Sequence, residues 1–186
     1  MKKLIYYAIT LVLVLLLSSF ILINSSIVDS NITTIELLPP PIDLNDVNRI
    51  WKKLKKEIGA PDDLPAPIIT LDWEVPIYAR MGTQYPTEEF PNNRLQISIA
   101  PRTIDSEPDY MVLFGIGHEM VHYLFILREN GYKIQKLYVV ELHHHCNPEF
   151  QDFTRVVIDE VWNIYHVNKN IMNDEIVKSC SNYSGQ

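Results

Sequence analysis

Residues 118–122 read His-Glu-Met-Val-His, inside a stretch that is otherwise almost wholly apolar from Leu113 to Leu127. This feature restricts the fold more than any other. Two histidines four apart share one face of an α-helix, one above the other, so both imidazoles can reach one metal ion. A helix that buries His118, Glu119 and His122 without partners would lose ~2–7 kcal/mol for each polar group. A metal ion held by both imidazoles removes that cost. Glu119 then falls beside the pair, where it can touch a metal-bound water without ligating. The pattern therefore predicts a central buried helix, a metal bound by His118 and His122, and Glu119 as a general base.

A metal site of this type needs a third protein ligand. The His143-His144-His145 triplet precedes a predicted helix and can fold back onto the metal, and at most one or two of the three can ligate. Glu141 and Glu160 compete with it. Glu160 also suits a role as hydrogen-bonding partner of a ligating histidine. His166 lies on the other face of that helix and reads as a surface residue.

Around the central helix the patterns are mixed. Leu44, Val47, Trp51, Leu54 and Ile58 recur at helical spacing up to Gly59, with Lys52, Lys53, Lys55 and Lys56 on the solvated faces. Ile68 to Trp73 and Val75 to Met81 read as strands. Gly82 to Asn93 reads as a polar loop. Leu95, Ile97 and Ile99 alternate with Gln96 and Ser98 as in a half-buried strand. Ser106 is the expected N-cap of the central helix, and Asn130-Gly131 its end. Gly115 and Gly117 leave room for a strand, a substrate backbone or tight packing. Lys133 to Leu142 reads as a strand or extended loop. A last helix runs from Pro148, capped by Asn147, to about Asn168. The fold class is α+β: a short sheet packed on the central helix, with flanking helices and an N-terminal transmembrane helix.

That N-terminal helix is expected from Leu4 to Ile23, a run of 20 residues without a charge. At 1.5 Å per residue it reaches ~30 Å, the thickness of the hydrocarbon core. Lys2 and Lys3 precede it, so the positive-inside rule places the N-terminus in the cytoplasm and the remainder on the exoplasmic side. Cleavage of this segment as a signal would instead release a secreted protein. The expected organisation is an anchor over 1–28, a stalk over 29–43, the catalytic domain over 44–170 and a C-terminal tail over 171–186. The sequons at Asn24, Asn31 and Asn182 fit an exoplasmic body. Cys146 and Cys180, the two cysteines, can form one disulfide there.

The net charge is −7; without Lys2 and Lys3 the basic count falls from 16 to 14 against 23 acids, so the body carries −9. Such a body has no broad attraction for phosphate backbones, which disfavours nucleic acid as a partner.

Three motifs together resemble the SprT-like zinc metallopeptidases, the group that includes Spartan: Asn93-Arg94-Leu95-Gln96-Ile97-Ser98, then His118-Glu119-Met120-Val121-His122, then His145 followed by Asn147-Pro148-Glu149-Phe150. The resemblance covers roughly residues 44 to 168. It implies one Zn2+ ion bound by His118, His122 and a histidine before Pro148, with Glu119 as base. An ungapped match of Pro148-Glu149-Phe150 puts Cys146 at the ligand position; a one-residue insertion puts His145 there. The implied function is a membrane-anchored endopeptidase acting on a protein or peptide substrate, which would lie extended beside Leu95–Ala100 by edge pairing. Two other readings stay open: a non-catalytic zinc-binding membrane protein, and a DNA-associated protease like Spartan.

Overall fold

The computed structural model describes residues 42–72, 75, 79–85, 95–133 and 144–183. The N-terminal run, the stalk up to residue 41, most of the segment Lys133–Leu142, and with them His143 and Glu141, lie outside the described residues.

The architecture is mixed α+β and mostly helical. Helix α1 spans Leu44–Ile58. It starts at Asp43, whose carboxylate accepts the amide of Asn45, and ends at Gly59, whose φ of 69° closes the last turn in the left-handed region. Its apolar stripe, Val47, Ile50, Trp51 and Leu54, is buried, while Leu44 at its start is exposed. Lys55 departs from the solvated lysine face expected of it. Its stem is buried, and its ammonium donates to the carbonyls of Asp62 (2.6 Å) and Leu64 (3.3 Å), tying the next loop to the helix.

Strands β1 (Ile68–Leu71), β2 (Met81–Gln84) and β3 (Gln96–Ile99) form one sheet in the order β1-β3-β2. β3 is central, parallel to β1 and antiparallel to β2. This overturns two expectations. Gly82–Gln84 is strand rather than loop. And β3 has neighbours on both sides, so no substrate can add to its edge; among the described residues, β2 forms the edge on that side.

The alternation in β3 places Ile97 and Ile99 in the core. Ser98, on the other face, is buried as well, near Thr70 and Gln96. Gln96 donates to Gln84, and Gln84 donates to Asp72, so the outer face carries a polar side-chain ladder.

The central helix is preceded by a separate short helix, α2 (Pro101–Ser106); α3 then runs Asp109–Glu129. Ser106 is therefore the end of one helix, not the cap of the next. Pro108 explains the break: a residue before proline is pushed out of the helical region, and Glu107 is extended at φ −101°, ψ 148°. α3 is buried on most of its circumference, through Val112, Leu113, Ile116, Met120, Val121, Leu124 and Leu127. It is long and apolar enough to span a membrane, but it is enclosed by α1, α4 (Pro148–Tyr165) and the sheet.

The two glycines of α3 serve packing. A Cβ at Gly115 would lie 2.6 Å from Met81 of β2, and one at Gly117 would lie 2.3 Å from Val157 of α4.

A turn of 3-10 helix, His144–Cys146, leads into α4. Asn147 caps α4, accepting the amides of Glu149 and Phe150, and Pro148 occupies its first turn. The helix ends at His166 in a left-handed conformation. Part of the segment 171–186, expected as a tail, is helical: α5 covers Lys169–Tyr183 and packs on α4 and on the 3-10 turn. A disulfide between Cys146 and Cys180 fastens α5 to that turn.

Candidate metal centre

α3 presents His118 and His122 one turn apart on one face, with ring centroids 5.1 Å apart. The 3-10 turn brings His145 over that pair. Its Nε2 lies 3.1 Å from Nε2 of His122 and 3.2 Å from Nε2 of His118. Three nitrogens, one from each ring, lie within 4.8 Å of one another, so the three can hold a metal ion. The separations suit the task. Four ligands placed tetrahedrally at ~2.0–2.1 Å from a metal stand about 3.3 Å from one another. The two nitrogen pairs sit close to that edge length.

Electrostatics favour the same use. Burial holds His118 down at about 3, with His145 adding to the shift, and burial likewise holds His122 well below the usual imidazole range. Both rings are therefore neutral at physiological pH and keep a lone pair. Phe150 underlies the cluster, its ring 4.4 Å from His122, 5.3 Å from His118 and 5.6 Å from His145. The side chain is fully buried, so it walls the site from one direction and fixes the rings against a rigid surface.

Glu119 follows His118 and turns toward β2. Thr83 Oγ1 lies 2.9 Å from its Oε2 and 3.0 Å from its backbone carbonyl, and can donate its one proton to either. Burial lifts the Glu119 carboxyl to about 7, against the opposing pull of the Thr83 hydroxyl. A carboxyl poised near neutrality can take up a proton and give it back.

The other candidates fall elsewhere. Cys146 is bonded to Cys180 and has no thiolate to offer. Glu160 accepts from Arg49 Nε at 2.8 Å and is bonded to no histidine among the described residues. His166 is exposed, against Trp162. His144 is near the site but behind it: its Nδ1 faces Nδ1 of His122 at 3.3 Å, and its Nε2 faces Glu129 at 3.2 Å.

Thr83 and Glu129 carry no role in the sequence reading. Thr83 had no signal, because its strand reads as loop. Glu129 did have one: it lies seven residues after His122, two turns on, along the stripe of His118, His122 and Phe125.

The chain matches no family model, no curated protein and no solved structure.

Proposed function

We propose that this chain is a zinc-dependent peptidase of the kind its motifs resemble, SprT-like, hydrolysing peptide bonds in an unfolded or extended protein substrate. The observation that carries the reading is three imidazole nitrogens within 4.8 Å of one another, with Glu119 following His118 on the same helix and its carboxyl lifted by burial to about 7. His118, His122 and His145 would hold the ion. When bound, zinc would polarise the scissile carbonyl and acidify water. Glu119 accepts the proton of the attacking water and delivers it to the departing amine, and the Thr83 hydroxyl steadies its charged form. Phe150 and the core of α3 keep bulk water from the far side of the histidines.

A zinc site with a purely structural role usually fills all four positions with protein ligands. Only three donors converge here among the described residues, and the nearby cysteine is spent in a disulfide. That observation favours an enzyme over a zinc-stapled binding module.

The disulfide also supports an oxidising compartment, in keeping with an exoplasmic domain tethered by Leu4–Ile23. Protease protection on sealed vesicles tests this: a C-terminal tag should resist digestion from the cytoplasmic side.

The activity is tested on the chain purified in mild detergent. Metal analysis should find about one zinc per chain. An unfolded protein should be cleaved, cleavage should stop with a chelator, and it should return with zinc. A chain that takes up no zinc overturns the reading.

A further inference from the structure

Behind His122, on the side away from the converging nitrogens, stands a chain of two further groups. His122 Nδ1 faces His144 Nδ1 at 3.3 Å, and His144 Nε2 faces Glu129 Oε1 at 3.2 Å. His144 is only 3 % exposed, with its ring between Phe125 (centroids 5.3 Å apart) and Phe150 (5.8 Å). Its backbone carbonyl accepts the amide of Asn147 at 2.8 Å, which closes the 3-10 turn. The ring therefore has little freedom to turn elsewhere.

With His144 neutral, hydrogen-bond chemistry sets the direction of each proton along these groups. A carboxylate can only accept, so His144 Nε2 carries the hydrogen. A neutral imidazole has one donor and one acceptor, so His144 Nδ1 is then the acceptor. His122 Nδ1 must donate to it, which leaves His122 Nε2 without a hydrogen. That Nε2 is the atom that faces His145. The other histidine of the helix has no such support: Nδ1 of His118 has no hydrogen-bond partner among the described residues.

We propose that Glu129 and His144 are positioning residues that hold His122 as its Nδ1–H tautomer and so present its Nε2 lone pair to the metal. The proposal rests on the metal-centre reading above and adds to it. Neither residue touches the metal or the substrate. They act by orienting one ligand, as a hydrogen-bonded carboxylate commonly does for a metal-bound histidine. His122 then becomes the pre-organised ligand and His118 the adaptable one.

The test has two readouts. Long-range proton–nitrogen NMR on the metal-free, 15N-labelled chain reads the tautomer of His122 directly. It should show Nδ1 protonated and Nε2 bare in the unmutated chain. Glu129→Ala should convert His122 to a tautomer mixture, whereas Glu129→Gln, which retains an acceptor oxygen, should keep most of the Nδ1–H form. Competition with a chelator reads Zn2+ affinity. It should fall ~10–100-fold in Glu129→Ala and less in Glu129→Gln. A role in packing alone would leave the tautomer unmoved, and Gln would offer no rescue.

His122 found as the Nε2–H tautomer in the unmutated chain overturns the proposal. So does a Glu129→Ala variant that keeps both the tautomer and an affinity within about twofold of the parent. A parent that binds no zinc defeats the peptidase reading instead, and the tautomer measurement still decides the roles of Glu129 and His144. A Glu129→Ala variant that fails to fold leaves the decision to the parent spectrum and Glu129→Gln.

Discussion

Thr83 Oγ1 stands 2.9 Å from Oε2 of Glu119, within reach to donate to that carboxylate, and joins an edge strand to the central helix. Threonine thus sets part of the proton affinity of the residue assigned to proton transfer. Burial raises the Glu119 carboxyl, and this hydrogen bond pulls it the other way.

Replacing Thr83 by valine keeps the shape and removes the donor. The charged form of Glu119 loses its support, so its pKa rises further. The acid limb of kcat/KM against pH should move to higher pH, with zinc content unchanged. An unmoved limb would mean that Thr83 serves only the strand.

Glu119→Gln separates chemistry from metal binding. Activity should fall by at least ~10²–10⁴-fold, while zinc is retained. The same variant carries a pH signature in the metal-free chain. Glu119 has a folded pKa of about 7 against 4.5 unfolded. Its folded state therefore holds the extra proton between those values, and the stability this supplies is full below pH 4.5 and lost as pH rises through 7. Glutamine has no such loss. Denaturant melts should find the two chains alike at low pH, with Gln more stable above neutrality by up to ~3 kcal/mol. A difference that grows toward acid instead would contradict the burial argument.

The Cys146–Cys180 disulfide closes a span of 34 residues that contains α4. Chain-entropy reasoning gives it ~3–4 kcal/mol of stability. It also fastens the turn that carries His144 and His145. Reduction, or paired Cys→Ala replacement, should lower the melting temperature and weaken Zn2+ binding by on the order of tenfold, as loss of support around a ligand does. Unchanged affinity with lowered stability would assign the disulfide to the fold alone.

Gly117→Ala pits helix propensity against packing. Alanine gains ~1 kcal/mol in a helix interior. Its Cβ would meet Val157 at 2.3 Å and Ile50 at 3.3 Å, both buried. Overpacking of this kind costs ~1–3 kcal/mol, so the variant should be destabilised. Adding the same change to Val157→Ala should reverse the sign, because the new methyl then fills the space vacated. Thermal melts of the four chains decide it.

The resemblance to SprT-like peptidases and the local patterns carried some features further than others. α1 was legible because its apolar stripe and its Gly59 stop agree, while its Asp43 cap appeared only in the structure. The start of α3 was not. Ser106 is a good cap by type, but Pro108 forces Glu107 out of helical geometry, and two helices result. β2 was hidden because Met81–Gln84 is only half-buried and has no alternation to read. Its strand character comes from pairing with β3.

For the central helix, sequence alone determined that it is helical and that it is buried. The spacing of His118 and His122 puts both on one face of α3, and the apolar run around them makes that helix central, because no polar face exists to meet water. Those are local consequences of a 3.6-residue period and of hydrophobic burial. Only the tertiary structure decided what meets that face. The His143–His145 triplet and Cys146 offer several chemically competent ligands, and their spacing cannot rank them. The 3-10 turn, the disulfide to α5 and the Asn147 cap together rotate His145 toward His118 and His122, turn His144 to the rear against Glu129, and take Cys146 out of contention. Side chains adjacent in sequence received different roles because long-range packing, which no local pattern encodes, set the direction in which each one points.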